Sequence, residues 1–238
     1  MKAMIFAAGF GKRLQPLTFD TPKPLIKIQG IPIIEQIIHY LVGFGITDII
    51  INTHHLHSKL EEFFSRNSFG ATITLRYEKQ ILGTGGGLYN TKDFWNDDDF
   101  MVCNSDILCT ADLAEFKSKH LQSDGLVTLA TNHRSSASML LVDEEDYLVG
   151  LKREDNLTIL QAPKGKTRPV GFCGYHLLSP KTFSFFSPTV AFSIIDEYMK
   201  LLGKQVKIKT WDIGDVFWED IGTKEALEKA NRHFPGFF

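Results

Sequence analysis

The apolar residues of the first half fall alternately into short continuous runs and helical repeats. Residues 3–7 form an unbroken apolar stretch that ends at Gly9, the pattern of a buried strand feeding a loop. Residues 32–42 (PIIEQIIHYLV) repeat apolar positions every three or four residues and stop near Gly43 and Gly45, as a helix does at its breaker. Residues 48–52 are a β-branched strand, 58–65 a short helix, and 71–77 an alternating strand. A helix over 86–94 precedes a strand over 100–103, which runs into Asn104, Ser105 and Asp106. A helix over 113–120 and a strand over 126–130 complete the series. Such alternation predicts an α/β fold with a mainly parallel, mixed sheet and helices on both faces. Ligands of such sheets bind beyond the carboxyl ends of the strands.

The second half changes character. Residues 138–142 and 147–151 flank the acidic turn DEED and read as a hairpin. Strands are expected over 157–161, 170–178 and 206–211, and a helix over 190–202. Residues 223–234 read as a closing helix with Thr223 as its N-cap. No repeat, low-complexity stretch or linker interrupts the chain. The simplest organisation is one domain over 1–238, its first half ending near 135 and a small mixed-sheet lobe filling about 136–238.

Composition narrows the classes. The 238 residues are 43% hydrophobic and 23% charged, so the chain can bury a core and is not disordered. A net charge of −2 and a pI near 6.4 speak against nucleic acid or an anionic membrane as partner. Cys103, Cys109 and Cys173 form no C-x-x-C pair and read as reduced, buried thiols of a cytoplasmic protein. No signal peptide or membrane-spanning run is present.

The chemistry concentrates in residues 9–24 (GFGKRLQPLTFDTPKP), directly after the first strand. Ala7, Ala8, Gly9 and Gly11 are small enough for the backbone to approach a ligand and aim amides at phosphate oxygens. Arg13 adds a planar, permanent cation, and Lys23 is held between two prolines. A fixed cation suits the charge that develops in phosphoryl transfer. The bland alternative is a tight turn with solvated basic residues. The third glycine of a dinucleotide fingerprint is missing, and the Walker G-x-x-x-x-G-K-[ST] pattern is absent.

The pattern G-x-G-x-R-L-x-P-L-T-x-x-x-P-K-P resembles the signature of the sugar-1-phosphate nucleotidyltransferases (nucleotide-sugar pyrophosphorylases). Later segments match in order: 82–87 (LGTGGG), 104–106 (NSD) and 218–223 (WEDIGT). The chain is most similar to the short single-domain form, which includes muramate-1-phosphate uridylyltransferases and mannose- or heptose-1-phosphate guanylyltransferases. The resemblance implies a Rossmann-like nucleotidyltransferase fold, with a nucleotide-binding half over about 1–135 and a sugar-phosphate-binding half over about 136–238. It implies transfer of a nucleoside monophosphate from an NTP, UTP or GTP, to a sugar 1-phosphate, with Mg2+. Asp106 and Asp220 would hold the metal, and Arg13, Lys23 and Asp106 would be catalytic. Gln80 and Gly83 would contact the base, with Ala7 and Gly9 assisting. The 83–87 run offers a flat backbone surface for a base, or alternatively phosphate-binding amides or a flexible loop. A capping or turn role is the plainer alternative for Asp106 and for Asp220.

On the sugar-phosphate side, 150–154 (GLKRE) stands where relatives carry an E-K-P-like segment, with Lys152 the first candidate and Arg153 the second. The family's proline is missing, and a solvated hairpin charge is the alternative. Segment 170–175 (VGFCGY) resembles the lining of the sugar pocket, with Gly171 and Gly174 permitting close approach.

Other features point elsewhere or nowhere. His54, His55 and His57 read as a strand-to-helix junction rather than a zinc site. Phe183, Phe185, Phe186 and Phe192 read as core or interface, and 97–99 as a solvated acidic turn. A choline-phosphate-type cytidylyltransferase and a non-catalytic nucleotide-sugar-binding regulatory protein are the competing functions. Retention of Arg13, Lys23, Asp106 and Asp220 argues against the regulator. About 16 residues follow Gly222, too few for the β-helix some relatives append, so a monomer or small homo-oligomer is expected.

Overall fold

The computed structural model describes residues 1–186 and 189–237. Strand β1 (Ala3–Phe6) leads into two 3-10 turns, Lys12–Leu14 and Lys23–Leu25. Then come β2 (Lys27–Ile28), β3 (Ile31–Pro32), α1 (Ile33–Gly43), β4 (Asp48–Thr53), α2 (His57–Arg66) and β5 (Thr72–Tyr77). Helix α3 (Gly83–Tyr89) precedes β6 (Phe100–Asn104), β7 (Ile107–Cys109), α4 (Leu113–Gln122) and β8 (Val127–Asn132). Strands β9 (Ser138–Val142), β10 (Leu148–Arg153), β11 (Asn156–Ile159) and β12 (Arg168–Leu178) follow. The chain closes with α5 (Ile194–Gly203), β13 (Ile208–Asp212), β14 (Trp218–Asp220) and α6 (Lys224–His233).

Internal contacts divide the chain into two interleaved compact units. One contains Met1–Ile81, Val102–Ala111 and Val216–Phe238. Its sheet runs β6-β1-β4-β5, with β1 parallel to β4 and β4 parallel to β5. Every residue of β1 is buried, as its unbroken apolar run requires. Helix α1 buries Ile33, Ile34, Ile37, Ile38 and Leu41, each contributing about 1.5–3 kcal/mol of hydrophobic stabilisation. A separate ribbon pairs β7 with β14 antiparallel.

The other unit contains Leu82–Met101 and Asp112–Asp215. Strands β11, β10, β9, β12 and β8 pair antiparallel in that order, and β13 joins β8 in parallel. The DEED turn joins β9 to β10 as expected. The buried Asp143 carboxylate organises it, accepting from the amides of Glu145 at 3.0 Å and Tyr147 at 2.9 Å.

The expected α/β alternation is present, and two helices begin elsewhere than the pattern suggests. The glycine run is not a flat surface: it is helical from Gly83, with Gly85, Gly86 and Gly87 buried. Helix α5 starts at Ile194 because Ser193 caps it, its hydroxyl accepting from the Ile195 amide at 3.2 Å. Thr223 caps α6 as expected, accepting from Ala226 at 3.2 Å. All three cysteines are buried.

Candidate active site

The loop after β1 is braced from below. The Ala7 amide donates to Asn52 Oδ1 at 2.9 Å, and Asn52 Nδ2 donates to Glu78 Oε1 at 2.7 Å. Asn52 and Glu78 are almost fully buried where β4 ends and beyond the end of β5. Ala7 therefore contributes its small size, while its amide belongs to the scaffold. Ala8 is also buried, and Gly9 lies at the surface. Gly11 takes φ +63°, and a Cβ there would stand 2.8 Å from Thr18 Cγ2, so only glycine fits without strain. The buried Thr18 hydroxyl donates back to the Gly11 carbonyl at 2.9 Å, closing the turn. Leu14 is fully buried and pins the following 3-10 turn, which leaves Arg13 exposed.

Lys23 begins the second 3-10 turn, with Pro22 before it and Pro24 after it. Its side chain is 11% exposed, and its ammonium donates to Asp106 Oδ2. Asp106 follows the carboxyl end of β6, the sheet edge where ligands gather. The ribbon register sets Asp220 opposite Ile107, and the Ile221 amide donates to the Asp106 carbonyl at 2.8 Å. This brings the two carboxylates into one neighbourhood. Arg13 Nη2 lies 3.9 Å from Asp220 Oδ2. A Cβ at Gly222 would sit 2.4 Å from the same guanidinium nitrogen, the far end of an exposed side chain that can shift aside.

Four of the sequence candidates thus converge: Arg13, Lys23, Asp106 and Asp220. Burial, followed by the charge on Asp106, pushes the Asp220 carboxyl above its ordinary range, while Lys23 and Arg13 oppose the shift. Asp220 Oδ1 is buried and has no hydrogen-bond donor. An unsatisfied acceptor beside a second carboxylate fits a hard divalent cation such as Mg2+, which takes oxygen ligands and keeps several from phosphate or water. Among the described residues no cluster of three or more His, Cys, Asp or Glu is arranged to hold a metal.

The remaining candidates are placed as follows. Gln80 is exposed beyond β5 in the same unit. In the other unit, Gly83 is exposed at the start of α3 with φ +70°. Lys152 is half-buried on β10, and Arg153 is committed to Asp196 at 2.8 Å. Gly174 has φ +79° where the β12–β8 register shifts, the position of a bulge. A Cβ at Gly171 would meet Asn132 Oδ1 at 2.5 Å. Sequence reading missed Asn132, whose Nδ2 is buried without a partner, and also Thr18, Asn52 and Glu78. The one available signal was a buried-type strand ending in a polar residue, as β4 and β8 both do.

The histidines are occupied structurally. His54 Nδ1 pairs with the Glu78 carbonyl at 2.8 Å, His55 Nε2 with the Thr18 carbonyl at 3.1 Å, and His57 Nδ1 with Thr53 Oγ1 at 2.8 Å. Helix α2 starts at His57 after Leu56 in the left-handed region, the junction the sequence suggested. Tyr89, Phe183, Phe186 and Phe192 form a chain of ring contacts in which Phe186 is buried and the other three are half-buried.

Two cations and two carboxylates at the carboxyl end of a parallel α/β sheet define a chain equipped to handle phosphates. The chain belongs to the nucleotidyl transferase family, whose model matches residues 2–235. It is 28% identical over 239 residues to a mannose-1-phosphate guanyltransferase of Candida albicans, covering 93% of this chain and 61% of that protein. It is 25% identical over 232 residues to a D-glycero-alpha-D-manno-heptose 1-phosphate guanylyltransferase of Aneurinibacillus thermoaerophilus, covering 98% of this chain and 97% of that one. The chain thus spans about 61% of the length of the fungal relatives it matches. HddC from Yersinia pseudotuberculosis shares the Rossmann-like α/β fold, with a TM-score of 0.79, 23% identity, and coverage of 98% and 99%. No helix among the described residues is long and apolar enough to cross a membrane.

Proposed function

We propose that this chain transfers a nucleoside monophosphate from an NTP to a sugar 1-phosphate, giving an NDP-sugar and pyrophosphate. The convergence of Arg13, Lys23, Asp106 and Asp220 at one sheet edge carries the reading. A phosphate oxygen of the sugar 1-phosphate attacks the α-phosphorus. The bond from that phosphorus to the bridging oxygen breaks, and pyrophosphate leaves with the electron pair. The attacking oxygen is already anionic, so no protein nucleophile or base is needed. Arg13 holds the triphosphate and offsets charge on the leaving pyrophosphate. Lys23, fixed by its prolines, offsets charge at the α-phosphate. Asp106 and Asp220 would hold Mg2+, which would supply charge neutralisation for the phosphates. Ala8, Gly9 and Gly11 let the loop close on the triphosphate, while Gln80 and Gly83 meet the base. On the sugar-phosphate side the reading uses Lys152, with Gly171 and Gly174. Lys152 is the first candidate there, and Arg153, paired with Asp196 at the surface, the second.

The names of the relatives make GTP the first nucleotide to test, with UTP, CTP, ATP and dTTP beside it. Pyrophosphate release is measured with Mg2+ and mannose, heptose, glucose and muramate 1-phosphates, and with choline phosphate. Release that requires an NTP and one sugar phosphate supports the reading. Binding of NTP with no release from any pair would favour a regulatory protein instead.

A further inference from the structure

Two glycines of the 82–87 segment, Gly83 and Gly85, lie too close to a neighbouring stretch of chain for a Cβ. A Cβ at Gly83 would stand 2.6 Å from the Phe192 carbonyl oxygen, and one at Gly85 would stand 2.5 Å from the Phe192 ring. At Gly86 a Cβ would reach Leu82 Cβ at 3.0 Å and the Phe192 ring at 3.6 Å. The backbones are joined as well. The Phe192 amide donates to the Leu82 carbonyl at 2.9 Å, while its carbonyl accepts from Gly85 at 2.9 Å and Gly86 at 3.3 Å. In return the Thr84 hydroxyl accepts from the Ile194 amide at 3.0 Å, at the first turn of α5. The stretch leading into α5 thus satisfies orphan amides of α3, and Thr84 of α3 satisfies one of α5. The α3 amides facing Phe192 are consumed and unavailable to a phosphate.

The clamp grips residue 82 on one side of Gly83 and residues 85 and 86 on the other. Gly83 itself remains exposed with φ +70°. We infer that Phe192 and Thr84 are positioning residues for nucleotide recognition, holding the Gly83 turn in the shape that receives the base. This rests on the reading above, in which Gly83 meets the base. A glycine-rich segment released from the clamp gains conformational freedom, and that freedom must be lost again when the nucleotide binds. The loss falls on NTP affinity. The cations that act on the phosphates lie in other segments, so the rate at saturation is spared.

Steady-state kinetics of Phe192→Ala, Phe192→Leu, Thr84→Val, Gly85→Ala and the double variant Gly85→Ala/Phe192→Ala test this. Phe192→Ala should raise KM for the NTP about tenfold, with kcat within about twofold and KM for the sugar phosphate unchanged. Phe192→Leu should recover most of the loss. Gly85→Ala should also raise KM, and the double variant should lie nearer wild type than the sum of the singles, because the smaller side chain vacates the colliding space. A folded Phe192→Ala enzyme with wild-type KM overturns the inference. If Phe192→Ala fails to melt cooperatively, Thr84→Val decides: about a threefold rise in KM supports the clamp, and none overturns it. Wild-type protein that neither binds nor turns over any NTP would instead remove the nucleotidyl-transfer reading beneath it.

Discussion

Replacing Lys23 with Met separates the electrostatic role of this residue from its packing. The substitution keeps the length of the stem and deletes the ammonium that donates to Asp106. The side chains of the pair are 11% and 26% exposed, between a surface ion pair and a buried one. Breaking a fully buried pair costs about 3–5 kcal/mol, and an exposed pair contributes about 1 kcal/mol or less. Lys23→Met should therefore destabilise the fold by about 1–3 kcal/mol. At about 2–4 °C per kcal/mol for a chain of this size, the melting temperature should fall by roughly 2–12 °C. The loss arises because Asp106 is left beside Asp220 without its ammonium partner. Adding Asp106→Asn removes that stranded charge, so the double variant should regain at least half of the lost stability.

Activity should behave in the opposite way. Removing one pre-organised charge contact costs about a hundredfold or more in kcat, and neutralising Asp106 cannot restore it. Melting is followed by scanning fluorimetry and turnover by coupled pyrophosphate detection, for the two single variants and the double. Two results would each refute the reasoning: Lys23→Met turning over within about tenfold of wild type, or a double variant no more stable than Lys23→Met.

Gly11→Ala should raise KM for the NTP and lower the melting temperature, because φ +63° and a contact at 2.8 Å to Thr18 together strain the loop; the cost is about 1–2 kcal/mol, readable by urea titration. Asp112→Ala removes the cap that accepts from Ala114 at 2.8 Å and Glu115 at 3.1 Å. It should destabilise by about 1 kcal/mol and leave kcat unchanged. Burial pushes the His176 imidazole down to about 3 from an ordinary 6.5. Between those values the unfolded chain takes up a proton that the fold refuses. This contribution is therefore complete above pH 6.5 and is lost as pH falls, by up to about 1.4 kcal/mol per pH unit. Urea unfolding of wild type and His176→Phe at pH 7.5, 6 and 5 reads it. Equal pH slopes in the two proteins would contradict the assignment.

What could be read in advance depends on how far apart in the chain the partners stand. Arg13, Lys23 and the small residues share one loop, so their spacing alone announced the site. Asp106 and Asp220 were legible as motif residues, yet their meeting depends on the β7–β14 register and on Ile221 bonding back to Asp106. No local pattern states that register. Asn52 and Glu78 were missed for a related reason: a polar residue ending a buried strand shows that a partner exists without saying which. The 83–87 run exposes the limit most clearly. A missing side chain permits close approach, and the approaching body can be a ligand or another segment of the same chain. Here Phe192 and Ile194 approach, and Thr84 and Ile194 stand 110 residues apart. Glycine content therefore points to contact but not to its partner. Exposure divides the two uses within one motif: Gly83 and Thr84 lie at the surface where a base could meet them, while Gly85, Gly86 and Gly87 are buried against protein. A Cβ at either position presses on the same neighbouring segment: at Gly83 it meets the Phe192 carbonyl at 2.6 Å, and at Gly85 the Phe192 ring at 2.5 Å and the Ser193 backbone at 3.1 Å.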